Sequence, residues 1–265
     1  MVRVRFPRAA LGDEITVRDR RELALMREAG RVVALVLEAL SAHVQPGVST
    51  ADLNDIADDL IRCHGARPTF LGYRGFPASV CISINDEVVH GVPRPDVFLK
   101  EGDIVSIDVG ATYQGWVADA GRTYPVGRIS RQAQALIETT RGALLAGIEQ
   151  ARAGRRLGDI SAAIQRHVED RRFTILRELT GHGIGREMHE EPEVLNYGHP
   201  GVGLRLKPGM TLALEPMVSA GGWRIRLDDD GWTVRTLDGS LSAHFEHTIA
   251  ITDGPAEILT QVSDA

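Results

Sequence analysis

Residues 103–124 read DIVSIDVGATYQGWVADAGRTY, and this stretch decides the fold. A β-branched run ends at Gly110, and a second strand candidate covers residues 115–124. We predict that the chain reverses at Tyr113-Gln114, which sets Asp108 directly opposite Asp119 on one face of a hairpin, with Cβ atoms about 5 Å apart. Two carboxylates so placed share a proton, hold a metal or repel each other. An ordinary hairpin with two solvated aspartates is the alternative.

A second pair of acidic residues lies in the C-terminal half. The segment TLALEP over 211–216 reads as a short apolar strand that closes on Glu215. The segment SAHFEHTIAI over 242–251 reads as one strand in which Glu246, Thr248 and Ala250 share a face. Taken alone, a glutamate in such a strand is often only on its solvated face.

One histidine completes a set of metal-ligand types. His182 lies in the segment TGHGIG, whose glycines let the backbone approach a site closely, although a histidine in a flexible loop is the commoner outcome. Four carboxylates and one imidazole suit two divalent metals that share one site. Their charges balance and leave room for a metal-bound hydroxide, a hydrolytic nucleophile at neutral pH. The candidate ligands are Asp108, Asp119, His182, Glu215 and Glu246.

An internal repeat relates the two halves of the chain. At one constant offset, LKEG at 99–102 aligns with LKPG at 206–209, and Asp108 aligns with Glu215. We interpret the chain as a single catalytic domain in which each half contributes a strand pair with two carboxylates. The domain covers 1–265, and its pseudo-symmetric halves cover about 1–125 and 126–265.

Helical patterns alternate with the strand patterns. Two helices and then strands, twice over, indicate an α+β fold with both helix pairs on one side of a sheet. Ser49 or Thr50 is the expected N-cap of the second helix. The predicted helices cover residues 18–44, 50–63, 130–153 and 159–168.

Composition narrows the class of protein. The 265 residues are 43% hydrophobic and 25% charged, which is typical of a globular domain. The net charge of −6 argues against a general nucleic-acid binder. Two cysteines, Cys63 and Cys81, provide neither a disulfide framework nor a cysteine zinc module. Because no apolar stretch has signal-peptide or membrane-spanning length, we expect a cytoplasmic protein without a membrane partner. We also expect a monomer without a specific DNA partner.

Six ordered motifs resemble those of the type I methionine aminopeptidases, the bacterial type without an N-terminal zinc extension in the M24 metallopeptidase family. The motifs are NDEVVHGVP from residue 85, DVG from 108, ADAGRT from 118, GHGIG from 181, MHEEP from 188 and LEP from 214. The resemblance covers roughly residues 15–253 and implies the pseudo-two-fold "pita-bread" fold of the creatinases and aminopeptidases. It also implies removal of N-terminal methionine from nascent proteins and peptides whose second residue is small.

The resemblance assigns a role to each candidate ligand. Asp108 and Asp119 would hold one metal, and His182 and Glu215 would help to hold the other. Asp119 and Glu246 would support both ions. Glu215 would also relay a proton as general base. The metals would be Co, Mn, Fe or Zn, since all accept oxygen and imidazole ligands.

The resemblance also gives roles to two further histidines. His189 would polarise the scissile carbonyl and stabilise the oxyanion. His90 would hydrogen-bond the scissile amide or the leaving nitrogen. The remaining histidines are interpreted as surface or packing residues, and they are His43, His64, His167, His199, His244 and His247.

An apolar pocket for one unbranched thioether side chain should set the specificity. Besides His90 and His189, its candidates by family position are Phe70, Tyr73, Phe76, Cys81, Met188 and Trp232. Position 70 is often cysteine and position 188 often phenylalanine in bacterial relatives, so Phe70 and Met188 depart from the usual pattern. Asn85 and Ser242 match positions near a monovalent cation site.

Other functions remain open at this point. An Xaa-Pro aminopeptidase of the same fold would use the same five ligands but usually carries an extra N-terminal domain. The type II enzymes carry an inserted helical subdomain, for which residues 182–246 leave little room. A non-catalytic binding module of this fold would tend to lose ligands. Arginine clusters near Arg3–Arg8, Arg18–Arg21, Arg152–Arg156 and Arg171–Arg172 fit solvated helix ends better than a transient ribosome contact.

Overall fold

A computed structural model describes residues 15–262, so the predicted arginine cluster at Arg3–Arg8 lies outside the described residues. No helix in this part of the chain is long and apolar enough to cross a membrane. The four described α-helices are α1 (Arg20–Ser41), α2 (Thr50–Cys63), α3 (Arg131–Gln150) and α4 (Leu157–Glu169), and a short 3-10 helix covers Tyr73–Gly75.

Side-chain caps determine where the helices begin. Asp19 accepts hydrogen bonds from the amides of Arg21 and Glu22, so α1 starts at Arg20 and not at the predicted residue 18. Ser49 caps α2 in a capping box with Asp52, and both predicted bounds of α2 are confirmed. The other predicted helices are confirmed with ends shifted by one to three residues.

Fifteen short strands make up the sheets of the described chain. Those of the N-terminal half are β1 (Arg67–Pro68), β2 (Val80–Ile84), β3 (Glu87–Val89), β4 (Ile104–Tyr113) and β5 (Trp116–Pro125). Those of the C-terminal half are β6 (Thr174–Ile175), β7 (Gly181–Gly183), β8 (Glu190–Val194), β9 (Thr211–Leu214), β10 (Met217–Ser219), β11 (Ile225–Leu227), β12 (Val234–Thr236), β13 (Ser242–His244), β14 (His247–Ala250) and β15 (Glu257–Ile258). The sheets are ordered β1-β4-β2 with β5 also on β4, β13-β10-β6, β11-β12-β3 and β15-β14-β9-β7-β8.

The β4–β5 hairpin has a different register from the predicted one. Asp108 pairs with Gly121 and Asp119 pairs with Gly110, so the two aspartates are diagonal neighbours and the predicted direct pair was wrong. The reason is the turn, because Gln114 (φ 48°) and Gly115 (φ 80°) supply the two positive φ angles of a two-residue type I′ hairpin. The pairing shifts by an even number of residues, so both aspartates keep the predicted common face.

Strand alternation separates the helix layer from the site. In β4, Val105, Ile107 and Val109 are fully buried in one cluster with apolar residues of α1 and α2. Asp108 lies between them in sequence and therefore points to the opposite face of the sheet. A second cluster joins α3 and α4 to the C-terminal strands in the same way.

Several backbone hydrogen bonds recur at the offset of the internal repeat. The Gly47 amide donates to the Leu99 carbonyl (2.8 Å), and the Gly154 amide donates to the Leu206 carbonyl (3.0 Å). The isolated bridge from residue 49 to 98 likewise recurs from residue 156 to 205. The two halves therefore share one local architecture.

The predicted continuous strand over 242–251 was wrong. It is broken between β13 and β14, and its partner is broken between β9 and β10 at Pro216. Proline has no amide hydrogen to continue a ladder. Met217 pairs with His244 on one side of the break and Leu214 pairs with His247 on the other. This register sets Glu215 opposite Glu246 at the gap.

The two halves meet where β5 lies against β14. Thr248 Oγ1 accepts a hydrogen bond from the Asp119 amide (3.0 Å) and donates one to the Asp119 carbonyl (2.8 Å). The Glu246 amide donates to the Gly121 carbonyl (2.8 Å). These bonds bring a carboxylate pair from each half to one place.

Candidate metal centre and substrate cavity

All of the predicted metal, catalytic and pocket residues line one cavity of about 630 Å³. This size is ordinary for a small-molecule or peptide-end site. The lining residues that the sequence singled out are Phe70, Tyr73, Phe76, Cys81, His90, Asp108, Asp119, His182, Met188, His189, Glu215, Trp232 and Glu246.

The histidine of the five candidate ligands lies in a strand and not in a flexible loop. His182 is the middle residue of β7 and pairs with Ala213 of β9. Its Nδ1 atom donates to the Gly183 carbonyl (2.9 Å), so Nε2 is the ring nitrogen that faces the carboxylates. Nε2 lies 3.4 Å from Glu215 Oε1 and 3.8 Å from Asp119 Oδ2. A hydrogen bond that fixes the distal nitrogen is the usual support of a metal-binding histidine.

The carboxylates fit a divalent cation. Asp119, His182 and Glu246 each offer a ligand atom within 4.8 Å of the others. Among the described residues, the buried Asp108 Oδ1 atom has no hydrogen-bond partner. Burying several carboxylates together without a cation is costly, because each ionised group loses its hydration and repels its neighbours. The donor set therefore suits a divalent metal centre.

Burial perturbs the ionisation of this cluster. It raises the pKa of Asp108, Glu215 and Glu246 well above the usual carboxyl range, and neighbouring carboxylates raise it further. Burial also raises the pKa of Asp119, although His182 opposes the shift. The metal-free fold therefore retains protons on groups that are ionised in the unfolded chain.

We expect divalent metal binding to release protons and to tighten as pH rises. Ligation requires ionised carboxyls, whereas the metal-free fold holds them protonated above their ordinary pKa of about 4. The same raised pKa affects folding of the metal-free protein, because the folded state binds protons that the unfolded chain has already released. The free energy of unfolding therefore falls as pH rises above the carboxyl pKa of the unfolded chain. Calorimetric titration in buffers of different ionisation enthalpy measures the released protons. A pH-independent affinity without proton release would contradict this expectation.

Two neutral histidines border the cluster of candidate ligands. Burial lowers the pKa of His189 to about 2 and that of His90 to about 4, so both imidazoles are uncharged at neutral pH. The Tyr73 hydroxyl lies 2.8 Å from His189 Nδ1, and the His189 ring centroid lies 4.4 Å from that of His182. His189 is thus held beside the carboxylates, where it can hydrogen-bond a substrate oxygen.

An apolar pocket adjoins the cluster. The rings of Phe76 and Trp232 meet edge to face, with centroids 5.2 Å apart. Gly110 leaves room for Phe70, since a Cβ atom there would lie 2.6 Å from its ring. Cys81 is 5% exposed although it borders the cavity. Burial raises the pKa of the Cys81 thiol well above its usual value.

The two residues of the expected monovalent cation site are neighbours. The Ser242 amide donates to the Asn85 carbonyl (2.8 Å). Within residues 15–262, the buried Ser242 Oγ atom has no hydrogen-bond partner. The Asn85 side chain is engaged elsewhere, because its amide group donates to Asp103 (2.8 Å).

Sequence reasoning overlooked two residues beside the candidate ligands. Thr248 Oγ1 lies 3.1 Å from Asp119 Oδ1. His244 was interpreted as a surface or packing histidine, yet it is 1% exposed and its Nε2 atom lies 3.7 Å from Glu246 Oε2. The signal was available, because His244 precedes Glu246 by two residues and alternation turns both side chains to one face.

The chain matches known proteins over most of its length. The sequence profile described as Metallopeptidase family M24 matches residues 24–253. Methionine aminopeptidase 1 of Bacillus subtilis (strain 168) is 52% identical over 242 residues, which cover 91% of this chain and 97% of that protein. The crystal structure of methionine aminopeptidase from Thermotoga maritima has a TM-score of 0.93 and 45% identity, and it covers 94% of this chain and 100% of that one.

A more distant likeness concerns the fold alone. The prolidase from Pyrococcus furiosus has a TM-score of 0.74 at 22% identity, and the match covers 93% of this chain and 66% of that one. The expected pita-bread fold is confirmed by both groups of structures. The close relatives, by contrast, are matched over nearly their entire length. The chain therefore belongs to metallopeptidase family M24 and, within that family, to the type I methionine aminopeptidases.

Proposed function

We propose that this protein hydrolyses the first peptide bond of nascent proteins and peptides, releasing N-terminal methionine when the second residue is small. The observation that carries the proposal is one cavity in which four carboxylates and His182 adjoin an apolar pocket. The names of the close relatives support the same activity.

The ligand cluster would hold two divalent ions, each of Co, Mn, Fe or Zn. Asp108 and Asp119 would bind one ion, and His182 and Glu215 would bind the other. Asp119 and Glu246 would contact both. When bound, such ions polarise a carbonyl oxygen and lower the pKa of a water molecule toward neutrality.

Glu215 is the proposed general base. Its carboxylate borders the cavity, and its Oε1 atom lies 3.4 Å from His182 Nε2. A carboxylate beside the reacting atoms can accept a proton and return it. Glu215 would take a proton from the attacking water and pass it to the leaving amine.

The two neutral histidines would act on the substrate itself. His189, oriented by Tyr73, would donate a hydrogen bond to the scissile carbonyl oxygen as negative charge develops there. His90 would hydrogen-bond the scissile amide or the leaving nitrogen. Neutral imidazoles suit both tasks because each carries one N–H donor.

The apolar pocket would select methionine. Phe70, Tyr73, Phe76, Cys81, Met188 and Trp232 would surround the thioether side chain. Aromatic rings bind sulfur favourably, and an unbranched chain fits a narrow channel. Tight space beyond the scissile bond would restrict the second residue to small side chains.

A monovalent cation, the oligomeric state and contact with the ribosome complete the proposed function. A monovalent cation would bind near Asn85 and Ser242. The protein would act as a cytoplasmic monomer without specific DNA or membrane partners. Transient contact with the ribosome is the less favoured use of the exposed arginines, which include Arg152, Arg155, Arg171 and Arg172.

Metal removal and reconstitution test the proposal. Chelation should abolish cleavage of a Met-Ala peptide, and added Mn, Co or Fe should restore it. The same ions should raise the melting temperature, because a ligand that binds only the folded state stabilises it. Full activity of the metal-free protein would contradict the dinuclear mechanism.

We expect thiol-directed reagents to act poorly on the methionine pocket, and Phe70→Cys to create sensitivity. Burial disfavours the reactive thiolate of Cys81. Phe70→Cys would place a second thiol at the pocket mouth while leaving methionine preference intact. Cys63 is exposed, so the comparison needs a Cys63→Ser background.

The measurement is time-dependent inactivation by an alkylating methionine analogue, with the adduct located by mass spectrometry. In the Cys63→Ser background, inactivation should depend on Phe70→Cys. An adduct on Cys81 in the protein that retains Phe70 would show that the buried thiol is accessible, contrary to this expectation.

A further inference from the structure

His244 occupies a position in the site that the proposed mechanism does not use. It is the last residue of β13 and is 1% exposed. Its Nε2 atom lies 3.7 Å from Glu246 Oε2 and 3.9 Å from Glu215 Oε2. The imidazole therefore faces the carboxylates of two proposed ligands at once.

The surrounding chain holds the His244 ring in place. The His244 amide donates to Thr123 Oγ1 (2.9 Å), and the same hydroxyl donates to the His244 carbonyl (2.8 Å). Gly121 makes room for the ring, because a Cβ atom there would lie 2.8 Å from His244 Cε1. Two independent contacts from β5 thus fix both the backbone and the ring.

The internal repeat gives His244 a counterpart in the first half. Asp119 pairs with Gly110 in the β4–β5 hairpin, and His244 pairs with Met217 in the β10–β13 ladder. The repeat aligns Gly110 with Met217, at the same offset that aligns Asp108 with Glu215. His244 therefore occupies the register position that a ligand, Asp119, occupies in the other half.

The Nε2 atom is buried and directed at acceptors. No residue in the described part of the chain forms a hydrogen bond with it. A buried nitrogen without a partner costs free energy, and a small rotation of either glutamate would bring an oxygen into hydrogen-bond range. Glu215 is flanked on both sides, since His182 Nε2 lies 3.4 Å from its other oxygen.

We propose that His244 is a positioning residue that donates its Nε2 hydrogen to the Oε2 atoms of Glu215 and Glu246 and so orients both carboxylates toward the metals. This inference rests on the proposed dinuclear site. Carboxylates that bind metals are commonly held by such outer hydrogen bonds, and losing one weakens metal binding or activity about 10–100-fold. Because Nε2 carries the hydrogen, His244 does not itself bind a metal.

Two variants of similar shape separate hydrogen bonding from packing. Gln and Met have side chains of nearly equal length, but only Gln can donate a hydrogen bond. His244→Met should weaken Co²⁺ binding about 10–100-fold by calorimetry and lower kcat with little change in KM. His244→Gln should bind Co²⁺ nearly as the unmodified protein does. His247→Met is the control for the loss of a neighbouring histidine. The Nδ1 atom of His247 lies 2.8 Å from Thr260 Oγ1, and this variant should leave Co²⁺ affinity unchanged.

Nitrogen NMR of the zinc-loaded protein gives an answer that needs no loss-of-function variant. The His244 ring should be the Nε2–H tautomer, with its signals assigned by their disappearance in His244→Gln. An Nε2 atom without hydrogen, or equal Co²⁺ affinity of His244→Met and the unmodified protein, would overturn the inference. Failure of the unmodified protein to bind any divalent metal would instead overturn the proposed function.

Discussion

Asp108→Asn and Glu246→Gln are each expected to lower kcat/KM by about a thousandfold or more while the protein stays folded. A catalytic divalent ion supplies several kcal/mol of transition-state stabilisation, and a loss of about 1.4 kcal/mol already slows the reaction tenfold. Both residues are proposed ligands, and removing one negative oxygen from the shared cluster should weaken or misplace an ion. Steady-state kinetics on a Met-Ala peptide, with metal content by elemental analysis, measures both effects.

The fold should survive these changes for an electrostatic reason. Burial and neighbouring carboxylates raise the pKa of both residues, so the metal-free protein gains nothing from their charge. Metal-free Asp108→Asn should therefore melt no lower than the unmodified metal-free protein. Glu193→Gln is a matched control, because Glu193 borders the same cavity but hydrogen-bonds Thr180 (3.2 Å) outside the ligand cluster. Near-normal activity of Asp108→Asn, or an equal loss in Glu193→Gln, would count against the assigned ligands.

His189→Ala is expected to lower kcat by about 10²–10³-fold with metal content unchanged. The contact from His189 strengthens as charge develops on the carbonyl oxygen, so its loss falls on kcat more than on KM. Tyr73→Phe removes only the hydroxyl that lies 2.8 Å from His189 Nδ1 and should have a smaller effect in the same direction. His90→Ala should also slow the reaction while both ions remain bound. Loss of metal from either histidine variant would show that the residue is a ligand and that its role is misassigned.

The sequence predicts which face of the sheet each site residue occupies more readily than it predicts which residue lies opposite on the neighbouring strand. Alternation in β4 and β5 places Asp108 and Asp119 on one face whatever the register, provided that the pairing shifts by an even number. The register itself depends on the turn, and Gln114-Gly115 was not recognised as the two-residue reversal because glutamine at positive φ is uncommon. The direct pairing of the two aspartates failed for that reason alone.

Tertiary contacts determine two features that the local sequence pattern did not predict, the break in the strand over 242–251 and the position of His244. The apolar run over 242–251 has the alternation of one strand, but Pro216 interrupts the partner strand and the run breaks opposite it. That break puts Glu215 and Glu246 face to face. His244 was overlooked although it precedes Glu246 by two residues, because that spacing alone does not show that Gly121 leaves space for its ring.

The first and last residues of α2, by contrast, were predicted correctly from sequence. Ser49 and Asp52 form a local capping box, and a local motif can be read without knowing the fold. The internal repeat was likewise visible in sequence, and it reappears in equivalent hydrogen bonds of Gly47 and Gly154. Features fixed within a few residues were therefore predictable, whereas those fixed across the two halves were not.

The central claim is that one metal-dependent site releases methionine before a small residue, and a comparison of peptide substrates tests it most directly. Values of kcat/KM would be measured for matched peptides beginning Met-Ala, Met-Leu and Ala-Pro, each with and without added Mn or Co. We predict metal-dependent cleavage of the Met-Ala peptide, much slower cleavage of Met-Leu and none of Ala-Pro. Preferential cleavage of Ala-Pro, or no cleavage of any peptide with metal present, would contradict the assignment.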